Sequence, residues 1–159
     1  MATIGTCLWF DDQAEEAAKF YVSVFPNSRI TGTTYYPDGP PDPKRAGQVL
    51  TINFIVDRQE FFGLNGGPFH SFTPAISMVV HCDTQEEVDH AWAKLTEGGQ
   101  EVQCGWLTDR YGVSWQIVPR EFERMLLSKD KAAVQRAMSA MLPMKKLDLS
   151  ALRKAFENA

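Results

Sequence analysis

The chain has 159 residues, of which 44% are hydrophobic and 23% charged, and it carries a formal net charge of −4. That size allows one domain with a proper buried core. The acidic balance and the lack of any basic run argue against nucleic acid or an anionic membrane as the partner, since both need a concentrated cationic face. No apolar run approaches the length needed to span a bilayer. The first residues, Met1 to Gly5, lack the basic and apolar regions of a signal peptide. The three cysteines, Cys7, Cys82 and Cys104, are odd in number and without C-x-x-C spacing. Cys7 and Cys82 fall at apolar-face strand positions, so free buried thiols in a cytoplasmic protein are expected.

Ile4 to Phe10 alternates as a first strand, with Ile4, Thr6, Leu8 and Phe10 on one face and Cys7 and Trp9 on the other. Asp12 is placed to cap a helix that runs to about Val24, with Ala17, Phe20, Tyr21 and Val24 on its buried side, and Pro26-Asn27 ends it. Arg29 to Tyr36 and Gln48 to Val56 read as strands separated by Pro37 to Gly47, a long irregular connection with four prolines that is either functional or a plain solvated excursion. Asp57-Arg58 is a turn signal, Glu60 to Asn65 the return strand, and Gly66-Gly67-Pro68 a stop. His70 reads as a linker residue.

Ala75 to Cys82 alternates again, Ile76, Met78, Val80 and Cys82 opposing Ser77, Val79 and His81. Asp83 and Glu86 have N-cap and N3 spacing, Val88, Ala91, Trp92 and Leu95 form an apolar stripe, and Gly98-Gly99 stops the helix. Two or three strands follow, ending in Val113 to Val118 with Ser114, Gln116 and Val118 opposed to Val113, Trp115 and Ile117. Arg120 to Leu127 and Lys131 to Leu142 read as helices, and Leu147, Leu149, Leu152 and Phe156 continue an apolar pattern. Met138, Met141 and Met144 read as adaptable packing.

The N-terminal stretch repeats the later one. Sliding Thr6 onto Ser77 places Leu8 on Val79, Phe10 on His81, Asp12 on Asp83, Tyr21 on Trp92 and Val24 on Leu95 without a gap. The chain is therefore expected to be α+β: two tandem β-α-β-β-β units, residues 1–67 and 68–119, followed by a helical extension over 120–159.

This tandem arrangement resembles the vicinal oxygen chelate superfamily, which includes glyoxalase I, extradiol dioxygenases and bleomycin-resistance proteins. The segments FFGLNGGP (Phe61–Pro68), DRYGVSWQIVP (Asp109–Pro119) and the tail MLPMKKLDLSALRKAF are similar to the PhnB-like branch, often labelled 3-demethylubiquinone-9 3-methyltransferase. The resemblance implies that the two units form a curved mixed sheet around a cavity, as two half-cups with their concave faces inward, and that the protein is a symmetric homodimer. Metal-using relatives place His, Glu, His and Glu on those faces, and by motif the positions here are Thr6, Gly63, Ser77 and Gln116. Two hydroxyls, an amide and a glycine cannot supply the charge or basicity a catalytic metal draws on, so no metal and no cofactor is expected.

Strand parity puts Thr6, Ser77 and Gln116 opposite the apolar faces of their strands and so toward the cavity. Its walls are expected to be Leu8, Phe10, Phe61 and Val79, its further contacts Asn65 and Trp106. Trp9, Trp92 and Trp115 fit the sheet–helix core. His81 is the candidate for acid–base work, weighed against a solvated rim histidine; Ser77, His81 and Asp83 on one short strand cannot form a triad. The leading functional expectation is a small-molecule binding protein with a polar, uncharged anchor set. The alternative is an enzyme, either a metal-dependent lyase, isomerase or dioxygenase or the methyltransferase of the family label. No Gly-rich loop follows the first strand to receive an adenosyl cofactor.

Overall fold

The computed structural model describes residues 1–159, which divide into two compact units, Met1–Phe72 and Thr73–Ala159. The first contains β1 (Thr6–Phe10), α1 (Ala14–Val24), β2 (Arg29–Tyr35), β3 (Val49–Val56) and β4 (Gln59–Asn65). The second contains β5 (Met78–Cys82), α2 (Gln85–Thr96), β6 (Gln100–Glu101), β7 (Trp106–Thr108) and β8 (Ser114–Pro119), then α3 (Arg120–Leu126), α4 (Lys131–Met141) and α5 (Leu149–Glu157). Each unit holds one four-stranded mixed sheet, ordered β1-β4-β3-β2 in the first and β5-β8-β7-β6 in the second. The opening strand of each lies parallel to the last, and the other pairings are antiparallel. The fold is α+β with two β-α-β-β-β units and a helical C-terminal extension.

In each unit the helix covers one face of the sheet. The buried stripe of α1 is Ala14, Ala17, Ala18, Tyr21 and Val24; that of α2 is Val88, Ala91, Trp92 and Leu95. Both repeat at the three- and four-residue spacing that keeps side chains on one helical face. The small residues of α1 meet a matching gap in the sheet: a Cβ added at Gly63 would stand 2.9 Å from the Ala14 Cβ.

The two helices begin differently from the sequence expectation. Neither Asp12 nor Asp83 is the cap. In α2, Thr84 accepts from the Glu87 amide at 3.2 Å while the Glu87 carboxylate accepts from the Asp83 amide at 2.7 Å, a reciprocal box one residue later than Asp83/Glu86. In α1 the N-cap position is Gln13, whose side chain makes no capping bond. The Asn65 side chain reaches across from β4 instead, its Oδ1 accepting from the Ala14 amide at 2.8 Å and its Nδ2 donating to the Val49 carbonyl at 3.1 Å.

The repeat carries a one-residue slip. Leu8 pairs with Gly63, and Val80 with Ile117, and both pairs lie on the helix-covered side. Phe10 and Ala14 are separated by three residues but Cys82 and Gln85 by two. The helices therefore superpose with the gapless offset while the strands do not: Leu8 corresponds to Val80, not Val79. The strand expected over Ala75–Cys82 also starts late, at Met78, because Thr73-Pro74-Ala75-Ile76 forms a turn in which the Thr73 hydroxyl accepts from the Ala75 amide.

The extension is fastened to the second unit. Phe122, Met125, Ala137, Leu147 and Leu152 form its core, with Val118, Met141 and Met144 packed against it. The Cys104 and Gly105 amides donate to the Met144 and Lys145 carbonyls at 2.7 and 2.8 Å. Gln85 bridges to α5, donating to the Leu147 carbonyl and accepting from the Leu149 amide. In the first unit, the proline-rich connection contains a short 3-10 turn, Pro43–Arg45, and Arg45 ties it down: its guanidinium sits 4.7 Å from the Tyr36 ring centroid and donates to the Asn65 and Asp11 carbonyls.

Candidate functional site

In the second unit the side of the sheet away from α2 is assembled by register. Trp115, Ile117 and Leu107 are 5%, 0% and 1% exposed, which commits them to the covered side. Alternation then turns Gln116, Trp106, Ser77, Val79 and His81 to the opposite side, which is open around Val79 and His81, while Ser114 is buried and Val118 on the same side packs against the helical extension. Gln116 pairs directly with Val79 on β5 and with Trp106 on β7, so a methyl pair, an amide and an indole form one row across three strands. The Gln116 Nε2 donates to the Ser77 Oγ at 3.0 Å, half-buried. This bond uses one of the two amide N–H groups and fixes the plane of the side chain. At the next position along β5, His81 pairs with Val118, and its Nδ1 lies 2.8 Å from a carboxylate oxygen of Glu123 on α3.

Local sequence explains why Gln116 and Trp106 are held there. The hairpin between β7 and β8 is organised by Asp109, 3% exposed, which accepts from the Tyr111 amide at 2.9 Å, the Val113 amide at 3.0 Å and the Trp115 indole at 2.8 Å. Gly112, at φ +89°, closes the turn. Trp106 follows a second turn in which Cys104 and Gly105 have φ +61° and +82°. A side chain at Gly105 would also press on Leu147 at 3.1 Å, so this turn needs glycine for both conformation and space.

The residues assigned to the cavity in the first unit lie elsewhere. Gly63 faces α1, and register places Leu8 and Ile52 beside it on the same side. Thr6, Phe10, Phe61 and Asn65 share that parity. Leu8, Phe10 and Phe61 are 6%, 3% and 9% exposed and belong to the sheet–helix core, with Phe61 stacked on Phe54 at 5.5 Å. Asn65 is the cap of α1. Thr6, at the start of β1, is on the helix-covered side and does not join Ser77 and Gln116 on an open face. The slip in the repeat accounts for all of these: the partner of Ser77 by strand position is Gly5, and the partner of the Val79–Gln116–Trp106 row is Cys7–Phe62–Asn53. Gly5, Asn53 and Phe62 line a cavity of about 230 Å³ with Thr31 and Glu60.

Two other expectations change with parity. Trp9 lies on the open side of its sheet, donating to the Gly67 carbonyl at 2.9 Å and meeting the His70 ring edge-on at 4.7 Å, so His70 is a packing residue rather than a bare linker. Cys7 is exposed, whereas Cys82 is buried. Burial, with the nearby Glu87 and Asp83 charges, pushes the Cys82 thiol up to about 12, and the partial desolvation of the otherwise exposed Cys7 raises it as well. Neither environment favours the thiolate that nucleophilic or metal-binding chemistry requires.

A larger cavity of about 600 Å³ lies in the first unit between Asp11, Asp42, Arg45 and Phe69. Its one guanidinium is spent on holding the loop, and the remaining charge is carboxylate. The open row of the second unit offers the second Gln116 amide N–H and its oxygen beside an apolar platform, and it is the better candidate.

Two four-stranded mixed sheets, each opened by a parallel crossover and each covered by one helix, define a glyoxalase-type protein of the vicinal oxygen chelate superfamily. Within it, the chain belongs to the 3-demethylubiquinone-9 3-methyltransferase family, the PhnB-like branch: the family model matches residues 2–118. A PhnB protein from Bacillus cereus, described as a 3-demethylubiquinone-9 3-methyltransferase, is 36% identical, covers 74% of this chain and 99% of its own, and superposes with a TM-score of 0.67. Protein PA1353 from Pseudomonas aeruginosa (18% identity, 75% of this chain and 98% of its own, TM-score 0.63) shares the fold. So does the fosfomycin resistance protein FosX of Listeria monocytogenes, crystallised with Mn(II) and sulfate (13% identity, 73% and 89%, TM-score 0.51). No curated protein matches the sequence. No helix is long and apolar enough to cross a membrane.

These names imply a metal or a methyl donor, and the residues present fit neither. The motif positions carry Ser77 and Gln116, neutral donors already bonded to one another, and no three His, Cys, Asp or Glu side chains are grouped to hold an ion. The β1–α1 connection is Asp11-Asp12-Gln13, without the glycines that let a helix N-terminus approach a nucleotide-like cofactor, and the sheet order is not doubly wound.

Proposed function

We propose that this protein binds a small organic molecule, without a metal, over the open face of the second unit's sheet. The observation that carries the reading is the Val79–Gln116–Trp106 row with Ser77 bonded to the Gln116 amide. An aliphatic side chain and an indole beside a fixed amide form the mix of apolar wall and sparse oriented polar groups that ligand sites use. A flat, partly apolar ligand would rest against Trp106 and exchange hydrogen bonds with the free amide atoms of Gln116. A cytoplasmic homodimer is part of this proposal. Sedimentation at micromolar concentration tests the assembly, and a monomer there would count against it.

A thermal-stability screen against small aromatic and conjugated compounds tests the binding role, because a ligand of the native state raises the melting temperature. A hit whose shift disappears in Trp106→Ala and Gln116→Ala supports the reading; a hit insensitive to both refutes the placement. Calorimetric titration with S-adenosylmethionine addresses the methyltransferase of the family label. Absence of heat at millimolar ligand is the expected result.

A further inference from the structure

The family match ends at residue 118, and the first helix beyond it delivers a carboxylate to the open strand face. Glu123, on α3, contacts the His81 Nδ1 at 2.8 Å through one oxygen and 2.9 Å through the other. α3 is anchored for this by Phe122 and Met125, both in the core of the extension. A carboxylate accepts only, so the imidazole must present Nδ1–H to it. In the neutral ring that choice leaves a lone pair on Nε2, which has no protein partner. His81 is on the same side of β5 as Ser77 and Val79, two residues beyond Val79, or roughly 7 Å along the strand. The other charged groups at this end include Asp83 and Arg120, paired with each other at 3.0 Å, and Glu87, whose carboxylate accepts from the Asp83 amide at 2.7 Å.

We propose that His81 is the proton acceptor of this site and Glu123 its positioning residue, so that the ligand is a weak acid of the phenol class with a polar substituent at its far end. This rests on the reading that the ligand lies over the Val79–Gln116–Trp106 row. The phenolic O–H donates to Nε2, and the substituent meets the Gln116 amide one ring-length away. If the proton crosses fully, Nε2–H forms, the imidazolium is balanced by Glu123, and the ligand is held as its oxyanion. The residues that do this lie on both sides of the family boundary: the strand is shared with the relatives, and the helix follows the matched region.

Two measurements test it. Nitrogen-15 shifts of the His81 ring, recorded where the ring is neutral, are expected to show Nδ1–H in the native protein and a return toward Nε2–H in Glu123→Ala. Nε2–H in the native protein, or no change in the variant, overturns the positioning role. The second is titration with 4-nitrophenol, whose nitro group and hydroxyl lie at opposite ends of one ring. His81→Ala is expected to weaken binding about tenfold, the size of one good hydrogen bond, and Gln116→Ala by a comparable factor. If only the Gln116 variant matters, the proton acceptor is refuted and the binding face stands. If neither variant matters, or if the native protein does not bind 4-nitrophenol at millimolar concentration, the phenol assignment is wrong.

Discussion

The two units have one topology and start their helices by opposite means. In the second unit the cap is local: Thr84 and Glu87 satisfy amides within a turn of their own positions. In the first unit it is long-range, with Asn65 arriving from the end of β4, 51 residues from Ala14. The local cap belongs to the helix itself, whereas the long-range one exists only once β1, β4 and α1 have assembled. The open row of the second unit carries an amide and an indole, while its counterpart in the first carries Cys7, Phe62 and Asn53.

Changes that strike the first unit's tertiary joint should cost most. Gly63→Val would drive methyl groups into Ala14 and Ile52, and a loss of about 3 kcal/mol is expected in urea unfolding. Asn65→Ala removes the buried cap and leaves the Val49 carbonyl without its partner, with an expected loss of about 2 kcal/mol. Thr84→Ala removes only the local cap of the second unit, and about 1 kcal/mol is expected. If Thr84→Ala proves the costlier of the two cap variants, the contrast between local and long-range capping is wrong.

At neutral pH the smallest effect is that of Cys82, whose influence on stability changes only at alkaline pH. The folded-state value of Cys82 is raised from 9.0 to about 12, so above pH 9 the unfolded chain loses a proton that the folded chain keeps. Its contribution is intact below pH 9 and declines as pH rises toward 12. Cys82→Ala should flatten the pH dependence of the melting temperature over that window. An unchanged slope would mean that the thiol titrates normally.

Alternation made most of the fold visible in the sequence: strand periodicity, the apolar helix stripes and the Asp57-Arg58 turn, which adopts φ +44° and +73°, all depend on neighbours in the chain. The faces of the second unit were legible for the same reason, since Ser77, Val79 and Gln116 contrast with Ile117 and Trp115. In the first unit Leu8 and Phe10, expected as cavity walls, are buried on the helix-covered side, although the gapless match sets them against Val79 and His81. One additional residue between β1 and α1 reverses every side chain of the strand relative to that match. The role of Asn65 was hidden because its partner, Ala14, is distant in sequence, and nothing in L-N-G-G-P names it. Glu123 was illegible as a site residue for the same reason, since only α3 packing brings it to His81.

The most direct test of the central claim is a map of side-chain NMR shifts on adding any compound that raises the melting temperature. The binding face predicts that the Gln116 amide, the Trp106 indole and the Val79 methyls move, while Leu8 and Phe61 in the first unit's core do not. Shifts gathered around Asp11, Arg45 and Phe69, with Gln116 and Trp106 unmoved, would contradict it.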